Sequence, residues 1–431
     1  MSKLKLRMLA ATLLAAAAFG AGPAGAGGIT LYEVGSMDVG LAGAGYAARA
    51  QDASTVFTNP AGMTRLAGRQ LTAGVQALYG DLDFSIGAGT TAALGAGGGG
   101  NPIGWFPGGG LFYSHSLSPD TKLGVAVTGN FGAVVKYDED WVGRYHLKEG
   151  TLLGVSIVPS VATRVDPHWS LGASLVAMRG TFDTAVAVNN LAGPDGQLAL
   201  DDTAWGYGVR LGVVYEPTAT SRFGFTYNSP VSLDFSAPAD WSGVGPLLTA
   251  LLRSRGLYDA QVDLGVTVPQ GVMASAYHEI DRDWAILGSV GWQQWSKFGR
   301  VDVGVDASNP VSLTSDLRFR DTWHVSAGAQ RRLGEAWMLN FGVGYDSSFQ
   351  ESGSVALALP TNATWRFALG ARQALSRDLD WGASFVYALQ DDLDVNTGGS
   401  VPVAVGGRGT VTGSFERPRT LFFALSLNWR F

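Results

Sequence analysis

The chain has no cysteine among its 431 residues, so neither a disulfide framework nor a thiolate metal site is open to it. Charge is scarce as well: Asp, Glu, Lys and Arg make up 15% of the residues, with a formal net charge of −6. An acidic balance without a basic patch argues against a nucleic-acid partner. Long apolar runs are missing too. After residue 26 nothing approaches the roughly 20 consecutive apolar residues of a spanning helix, although the mean hydropathy is slightly positive. The five histidines are scattered at 115, 146, 168, 278 and 324, and His278-Glu279 has no second histidine at metalloprotease spacing, so no zinc site is expected. Length alone is compatible with roughly three soluble domains or with one large β-barrel.

Residues 1–26 carry Lys3, Lys5 and Arg7, the apolar stretch Met8 to Phe19, and the small residues Ala24-Gly25-Ala26. This order reads as a secretory signal peptide, with a mature chain starting at Gly27. An anchor helix is the competing reading, and the short, Ala-rich apolar core disfavours it.

Beyond about residue 70 the pattern is alternation. Leu421, Phe423, Leu425, Leu427, Trp429 and Phe431 share one face, against Phe422, Ala424, Ser426, Asn428 and Arg430 on the other. The same period of two runs through Trp205 to Tyr215 and Trp337 to Tyr345. Strands that are apolar outward and small or polar inward describe a transmembrane barrel. Tight connections (Ser118-Pro119-Asp120, Asp166-Pro167-His168, Asp281-Arg282-Asp283, Ser376-Arg377-Asp378) alternate with long ones at 87–104, 187–201, 236–260 and 394–412. Trp169, Trp284, Trp337 and Trp381 follow short turns, where an interfacial girdle belongs. Alternating segments start near 70, 105, 121, 148, 168, 202, 221, 260, 283, 316, 336, 362, 378 and 413. The fold expected is therefore an all-β membrane protein, an antiparallel barrel of about 14 strands over 69–431. Phe431, ending the last apolar strand, fits a signal for the barrel assembly machinery.

Two segments depart from this pattern. Residues 27–68 contain the Gly/Ala-rich stretch Gly35 to Ala50 and the run from Asn59 to Leu66. Asn59 suits an N-cap and Pro60 a first helical position, so short helices and turns forming a plug are expected. Residues Gly245 to Gly256 read as a short amphipathic helix in a long loop. Its Leu247, Leu248, Leu251 and Leu252 form either a landing surface for a hydrophobic ligand or a loop-packing face.

Chemistry-bearing look-alikes are weak. Gly40-Leu-Ala-Gly43-Ala-Gly45 lacks the strand that precedes a dinucleotide loop. Asp138-Glu139-Asp140 and Asp391-Asp392 are loop carboxylates without a matching nucleophile motif. No catalytic residue and no cofactor is expected. Alternation places Lys136, Arg164, Arg210, His324, Arg366 and Arg372 inward, most of them as lumen charges that balance one another.

Several elements resemble a known family. The segment Gly27-Gly-Ile-Thr-Leu-Tyr-Glu-Val-Gly-Ser36, then Gly40 to Ala48, Asp52-Ala53 and Asn59-Pro60-Ala61, is similar to the hatch of the FadL/TodX-type outer-membrane channels for long-chain fatty acids and aromatic hydrocarbons. Thr128 to Gly132, Trp141 to Arg144, Pro159 to Ala162, Gly291 to Ser296 and Gly344 to Asp346 continue the resemblance. It implies a 14-stranded barrel plugged by an N-terminal hatch, with Asn59, Pro60 and Ala61 in the gating element. It also implies a ligand pocket bounded by the hatch and a kink in the third strand that opens the wall sideways. Strand three then runs Leu123, Val125, Val127, Phe131 and Val135 outward, with Gly124, Ala126, Thr128, Asn130 and Gly132 inward. Gly129 and Gly132 flank Asn130 as positions that tolerate a bend. Pro159 in strand four either belongs to that opening or sits in an ordinary bulge. By resemblance, Arg179 and His324 are the headgroup candidates.

These readings converge on an outer-membrane channel for passive uptake of hydrophobic compounds, with long-chain fatty acids first and aromatic hydrocarbons as the alternative. An outer-membrane lipid hydrolase, an adhesive barrel and an open porin stand as rivals. The partners expected are hydrophobic small molecules, outer-membrane lipid and lipopolysaccharide, and the assembly machinery, for a barrel acting as a monomer.

Overall fold

The computed structural model describes residues 32–190, 193–306, 311–350, 356–397 and 402–431. The signal peptide, the Gly27 start and the first hatch residues lie outside that range. Fourteen strands form the wall: β1 Arg69–Asp81, β2 Gly104–Ser116, β3 Thr121–Lys136, β4 Glu149–Arg164, β5 Trp169–Val188, β6 Gly196–Tyr215, β7 Ser221–Asn228, β8 Gly271–Glu279, β9 Trp284–Gln293, β10 Thr322–Leu333, β11 Trp337–Asp346, β12 Thr364–Ala374, β13 Leu379–Gln390 and β14 Arg419–Arg430. Each pairs antiparallel with its neighbours in sequence, and β1 closes on β14 from Gln70↔Arg430 to Asp81↔Arg419. In hydrocarbon an unpaired backbone group costs several kcal/mol, and a closed ladder leaves no edge to incur it.

The alternation sets the two faces. Leu123, Val125, Leu175, Trp205, Tyr207, Leu211, Phe223, Phe341, Phe367, Leu369 and Leu425 are exposed on the outside. Thr72, Ser114, Ser174, Ser289, Asn340, Thr420 and Asn428 are buried inside. Trp169, Trp284 and Trp337 are exposed just beyond the short turns, which places an aromatic girdle at that rim. The strand starts agree with the alternation except where long connections carry strands of their own. Residues 187–201 are not a loop, because β5 and β6 extend through them to a connection at 189–195. The segment Gln261–Val268 belongs to a separate sheet with Val231–Pro238, Arg300–Asp306 and Val311–Asp316, so β8 begins only at Gly271. Thr412–Phe415 likewise pairs outside the wall, and β14 starts at Arg419.

Residues 32–64 are packed inside the barrel, and Arg65, Ala67 and Gly68, which lead into β1, are exposed. Ser36–Val39 and Thr55–Thr58 are single helical turns, and Pro60–Arg65 is a 3-10 turn. The intervening chain turns back on itself through left-handed Gly43 and Gly45. The expected helix is present at Pro246–Ser254, opened by Pro246 and followed by left-handed Gly256.

Placing a cation on the lipid face tests the orientation of the wall. Leu425→Arg, halfway along β14, should destabilise the folded barrel by about 2–4 kcal/mol, measured by reversible denaturation in phospholipid vesicles.

Candidate functional site

Three features meet in the lumen: the seam between hatch and wall, a break in the wall, and an apolar cluster above the hatch. At the seam, Asn59 is fully buried. Its Nδ2 donates to the carbonyls of Ala47 (2.6 Å) in the hatch and Val213 (3.0 Å) on β6, while its Oδ1 accepts from the Ala61 amide (3.1 Å). The side chain therefore caps the turn that starts at Pro60 and ties two hatch segments to the wall at once. Gly212 makes room for this, since a Cβ there would overlap Asn59 Oδ1.

On the opposite side of the lumen the seam is ionic. Glu33 of the hatch pairs with Arg366 of β12, whose Nε lies 3.0 Å from Asp346 Oδ2 on β11. Asp346 Oδ1 in turn lies 2.8 Å from His324 Nδ1, and His324 Nε2 is 3.0 Å from Ser326 Oγ. Tyr32 packs its ring 4.4 Å from the imidazole. Within the hatch, Arg49 Nη1 lies 2.8 Å from Asp38 Oδ1, with both side chains buried. Burial pushes the Asp38 carboxyl up to about 6, reinforced by Asp52 and opposed by Arg49 and the Gly35 amide.

The break lies between β2 and β3. Their ladder runs from Ser116↔Lys122 only to Gly110↔Thr128. Beyond it β2 stays paired with β1 as far as Gly104, and β3 with β4 as far as Lys136↔Glu149. Both strands continue and the bonds between them stop. The β3 register on β4 shifts between Gly129 and Phe131, leaving Asn130 as the extra residue of a bulge. Gly132 has φ +150° and a Cβ there would lie 2.6 Å from the Leu152 carbonyl oxygen, so only glycine fits without strain. The bulge reverses the parity of the strand: Phe131, Ala133 and Val135 are buried. Phe131 and Val135 thus point inward, contrary to strict alternation, and the Lys136 side chain is 74% exposed beside Glu149 rather than in the lumen. Pro159 stands apart from the break. It faces Val125 within an unshifted β3–β4 register, and toward β5 the ladder merely skips from Ile157↔Ala177 to Ser160↔Ser174 without a change of register.

Inside the break is an apolar cluster of Phe131, Met178, Leu233, Phe235, Trp295, Phe298, Phe319 and Phe349. Phe131 meets Phe298 edge to face at 6.0 Å, and Trp295 stacks on Phe349 at 5.0 Å. The strand Val231–Pro238 lies over β6 and delivers Val231 and Leu233 onto Gly206. On the helix at Pro246–Ser254, Leu247 is 80% exposed and Leu251 is also exposed, Leu248 is half-buried, and Leu252 is buried against the loops. One face thus serves packing and the other is free.

The headgroup candidates are placed differently from what the resemblance implies. Arg179 is exposed on the face it shares with Leu175, because β5 pairs with β6 in one unbroken register and no bulge turns it inward. Phe182, of opposite parity, instead packs inward on Phe235 at 5.6 Å. His324 does point inward but is engaged by Asp346 and Ser326. The acidic half of the ionic seam, Glu33, Asp38 and Asp346, escapes a reading confined to inward bases. Asp346 carries a signal in the sequence, since it shares parity with inward Asn340.

A closed antiparallel wall with an apolar belt and a folded plug defines a plugged outer-membrane β-barrel transporter. The chain belongs to the family of outer membrane protein transport proteins (OMPP1/FadL/TodX), whose profile matches residues 17–431. It is 24% identical over 390 residues to the long-chain fatty acid transport protein of Escherichia coli O6:H1, covering 84% of this chain and 86% of that one. Among solved structures it is similar to a Pseudomonas aeruginosa FadL homologue, with TM-score 0.82, 19% identity and coverage of 94% and 100% of the two chains. It is also similar to the Pseudomonas putida toluene transporter TodX, with TM-score 0.67, 14% identity and coverage of 94% and 100%.

Asn59→Ala removes the cap, its bond to the Val213 carbonyl and the donor to the buried Ala47 carbonyl, which should loosen the hatch by about 2–4 kcal/mol. The expected result is higher ion conductance in planar bilayers and new trypsin cleavage at buried Arg49, with the barrel still folded. Docking should also respond to acid. Between pH 4 and 6 the docked hatch binds more protons at Asp38 than a solvated hatch does, so docking weakens as pH rises through that window and levels off above it. Conductance of the wild type should therefore be lower at pH 5 than at pH 7, and Asp38→Asn should flatten this difference.

Proposed function

We propose that the protein mediates passive uptake of hydrophobic compounds, through an apolar pocket gated by the hatch and by the break beside β3, with long-chain fatty acids as the leading cargo. The observation that supports this reading is the aborted β2–β3 ladder next to Phe131, which is itself part of the apolar cluster. An apolar molecule gains about 25 cal/mol for each Å² it removes from water, so such a cluster holds cargo that an aqueous pore would not favour. Leu247 and Leu251 offer a first contact on the outer side, with Leu248 and Leu252 fixing the helix that carries them. The names of the relatives support both cargo classes, since one is called a long-chain fatty acid transport protein and another a toluene transporter. Aromatic hydrocarbons are the second reading, favoured by the density of aromatic rings around Phe298. Outer-membrane lipid and lipopolysaccharide around the apolar belt, the barrel assembly machinery as a partner and a monomeric state complete the proposal.

Labelled oleate and labelled toluene, supplied separately to cells lacking their own hydrophobic channel, test it. Expression of the wild type should raise uptake of at least one of them above background. Deleting Asn130 removes the extra residue without changing which side chains face inward. It should let the β2–β3 ladder extend and lower uptake about tenfold or more at equal amounts of folded barrel, a barrier increase of about 1.4 kcal/mol per factor of ten.

A further inference from the structure

On the loop side of the wall, the strands turn three cations outward: Lys136, Arg179 and Arg419. Lys136 Nζ lies 3.2 Å from Glu149 Oε2, and Arg419 Nε lies 2.6 Å from Asp81 Oδ2. Arg179 is exposed, and among the described residues no carboxylate lies within ion-pair distance of it. Its neighbours across the ladders are Val155 on β4 and Trp205 on β6. A charge turned toward lipid is costly in the middle of a bilayer, and the cost fades toward the interface.

The height of Arg179 follows from its strand. Trp169 stands in the girdle beside the short turns, and Arg179 is ten residues further along β5 on the same face. At about 3.3 Å per residue and a tilt of about 40°, this is about 25 Å of height, the full depth of the apolar belt. Arg179 therefore stands at the outer headgroup boundary, level with Trp205. There Trp205 and Tyr207 are 51% and 72% exposed, because β7 ends at Asn228 and its ladder with β6 stops at Arg210↔Asn228. Below Arg179, Ile157 and Leu175 are exposed toward the acyl region. Just above it Thr181 is opposite Thr203, and higher still Asp183 is opposite Asp201. Those carboxylates are about 13 Å up the strand, beyond the roughly 8 Å over which charges stay coupled in physiological salt.

We propose that Arg179 is a lipopolysaccharide site. Its guanidinium pairs with a phosphate of lipid A, the sugar that carries the phosphate lies against Trp205, and the acyl chains run down past Val155, Ile157 and Tyr207. The guanidinium fork matches phosphate oxygens bidentately, and the hydroxyls of Thr181 and Thr203 are further donors at the same height. A phospholipid brings the phosphate without a rigid sugar for the indole face to cover. The leaflet is the outer one because Arg179 stands at the end of the barrel that carries the long connections. The inference rests on the outer-membrane placement above and deepens it, from lipid around the belt to a lipid held at one position. It also assigns Arg179 a use on the face turned away from cargo.

Native mass spectrometry of the purified barrel in detergent tests the site, with three probes: bisphosphorylated lipid A, lipid A stripped of both phosphates, and phosphatidylglycerol. Wild type should bind the bisphosphorylated form about tenfold or more tighter than either of the others. Arg179→Leu should lose about tenfold of that affinity, and Arg179→Lys should stay within about threefold of wild type, as a point cation replaces the fork. Equal binding of lipid A by wild type and Arg179→Leu overturns the site, and equal binding of lipid A and phosphatidylglycerol by wild type overturns the choice of ligand. If Arg179→Leu fails to fold, Arg179→Gln takes its place with the same loss expected and the same result overturning the proposal. Uptake of labelled oleate and toluene by cells expressing Arg179→Leu should match wild type, and a loss confined to oleate assigns Arg179 to cargo and overturns the proposal. A wild type that binds lipid A as expected but imports neither cargo overturns the uptake reading and supports the lipid site.

Discussion

Every backbone amide and carbonyl facing hydrocarbon must find its partner within the protein, and the structure is arranged around that constraint. It requires the β1–β14 closure, it fixes which side chains face lipid, and it gives meaning to the stretch, among the described residues, where β2 and β3 run on without bonding each other. Gly104 to Gly109 and Gly129 to Val135 keep their other neighbours, β1 and β4, so each strand loses the ladder on one side only. The bulge at Asn130 makes this possible. An extra residue turns Phe131 inward, so the feature that accompanies the interrupted ladder also sets an aromatic ring beside it.

The seam between hatch and wall uses a different kind of bond on each side. Toward β5 and β6 it is an amide clamp with close backbone approach, Asn59 against Gly212. Toward β10, β11 and β12 it is a chain of polar contacts in which the Glu33, Arg366 and Asp346 ions lead to the His324 ring. An apolar interface of the same area would hold the plug without directional preference. Buried ions instead make one docked position far better than its neighbours, because a displaced charge loses its partner and keeps its desolvation cost. A plug held this way stays in register until something competes for its polar groups.

The wall was legible in the sequence because a period of two sustained over ten or more residues matches the pleat of a strand and no helical repeat. Leu421 to Phe431 and Trp205 to Tyr215 face lipid as their spacing implies. Asn59 and Pro60 were legible for a local reason, since an Asn-Pro pair carries its cap geometry with it. Register was harder to read. One inserted residue at Asn130 reverses every later assignment in β3, which is why Phe131, Val135 and Lys136 face opposite to simple alternation. Arg179 shows the converse error: a family position suggested a role that the unbroken β5–β6 register denies it. Strands 231–238 and 261–268 alternate like wall strands and yet form a sheet over the lumen, a distinction that depends on tertiary pairing and leaves no local mark.

Charge balance adds what alternation cannot supply. Counting inward bases predicts that most are balanced, and in the structure Arg366, Arg372 and Arg49 are. The same count on the outer face leaves Arg179, at a position where alternation alone would place one more apolar side chain. Hydrocarbon penalises a guanidinium, and β5 carries this one only where the strand reaches the upper edge of the belt. At that height a lipid phosphate can stand in for the carboxylate that the protein does not supply.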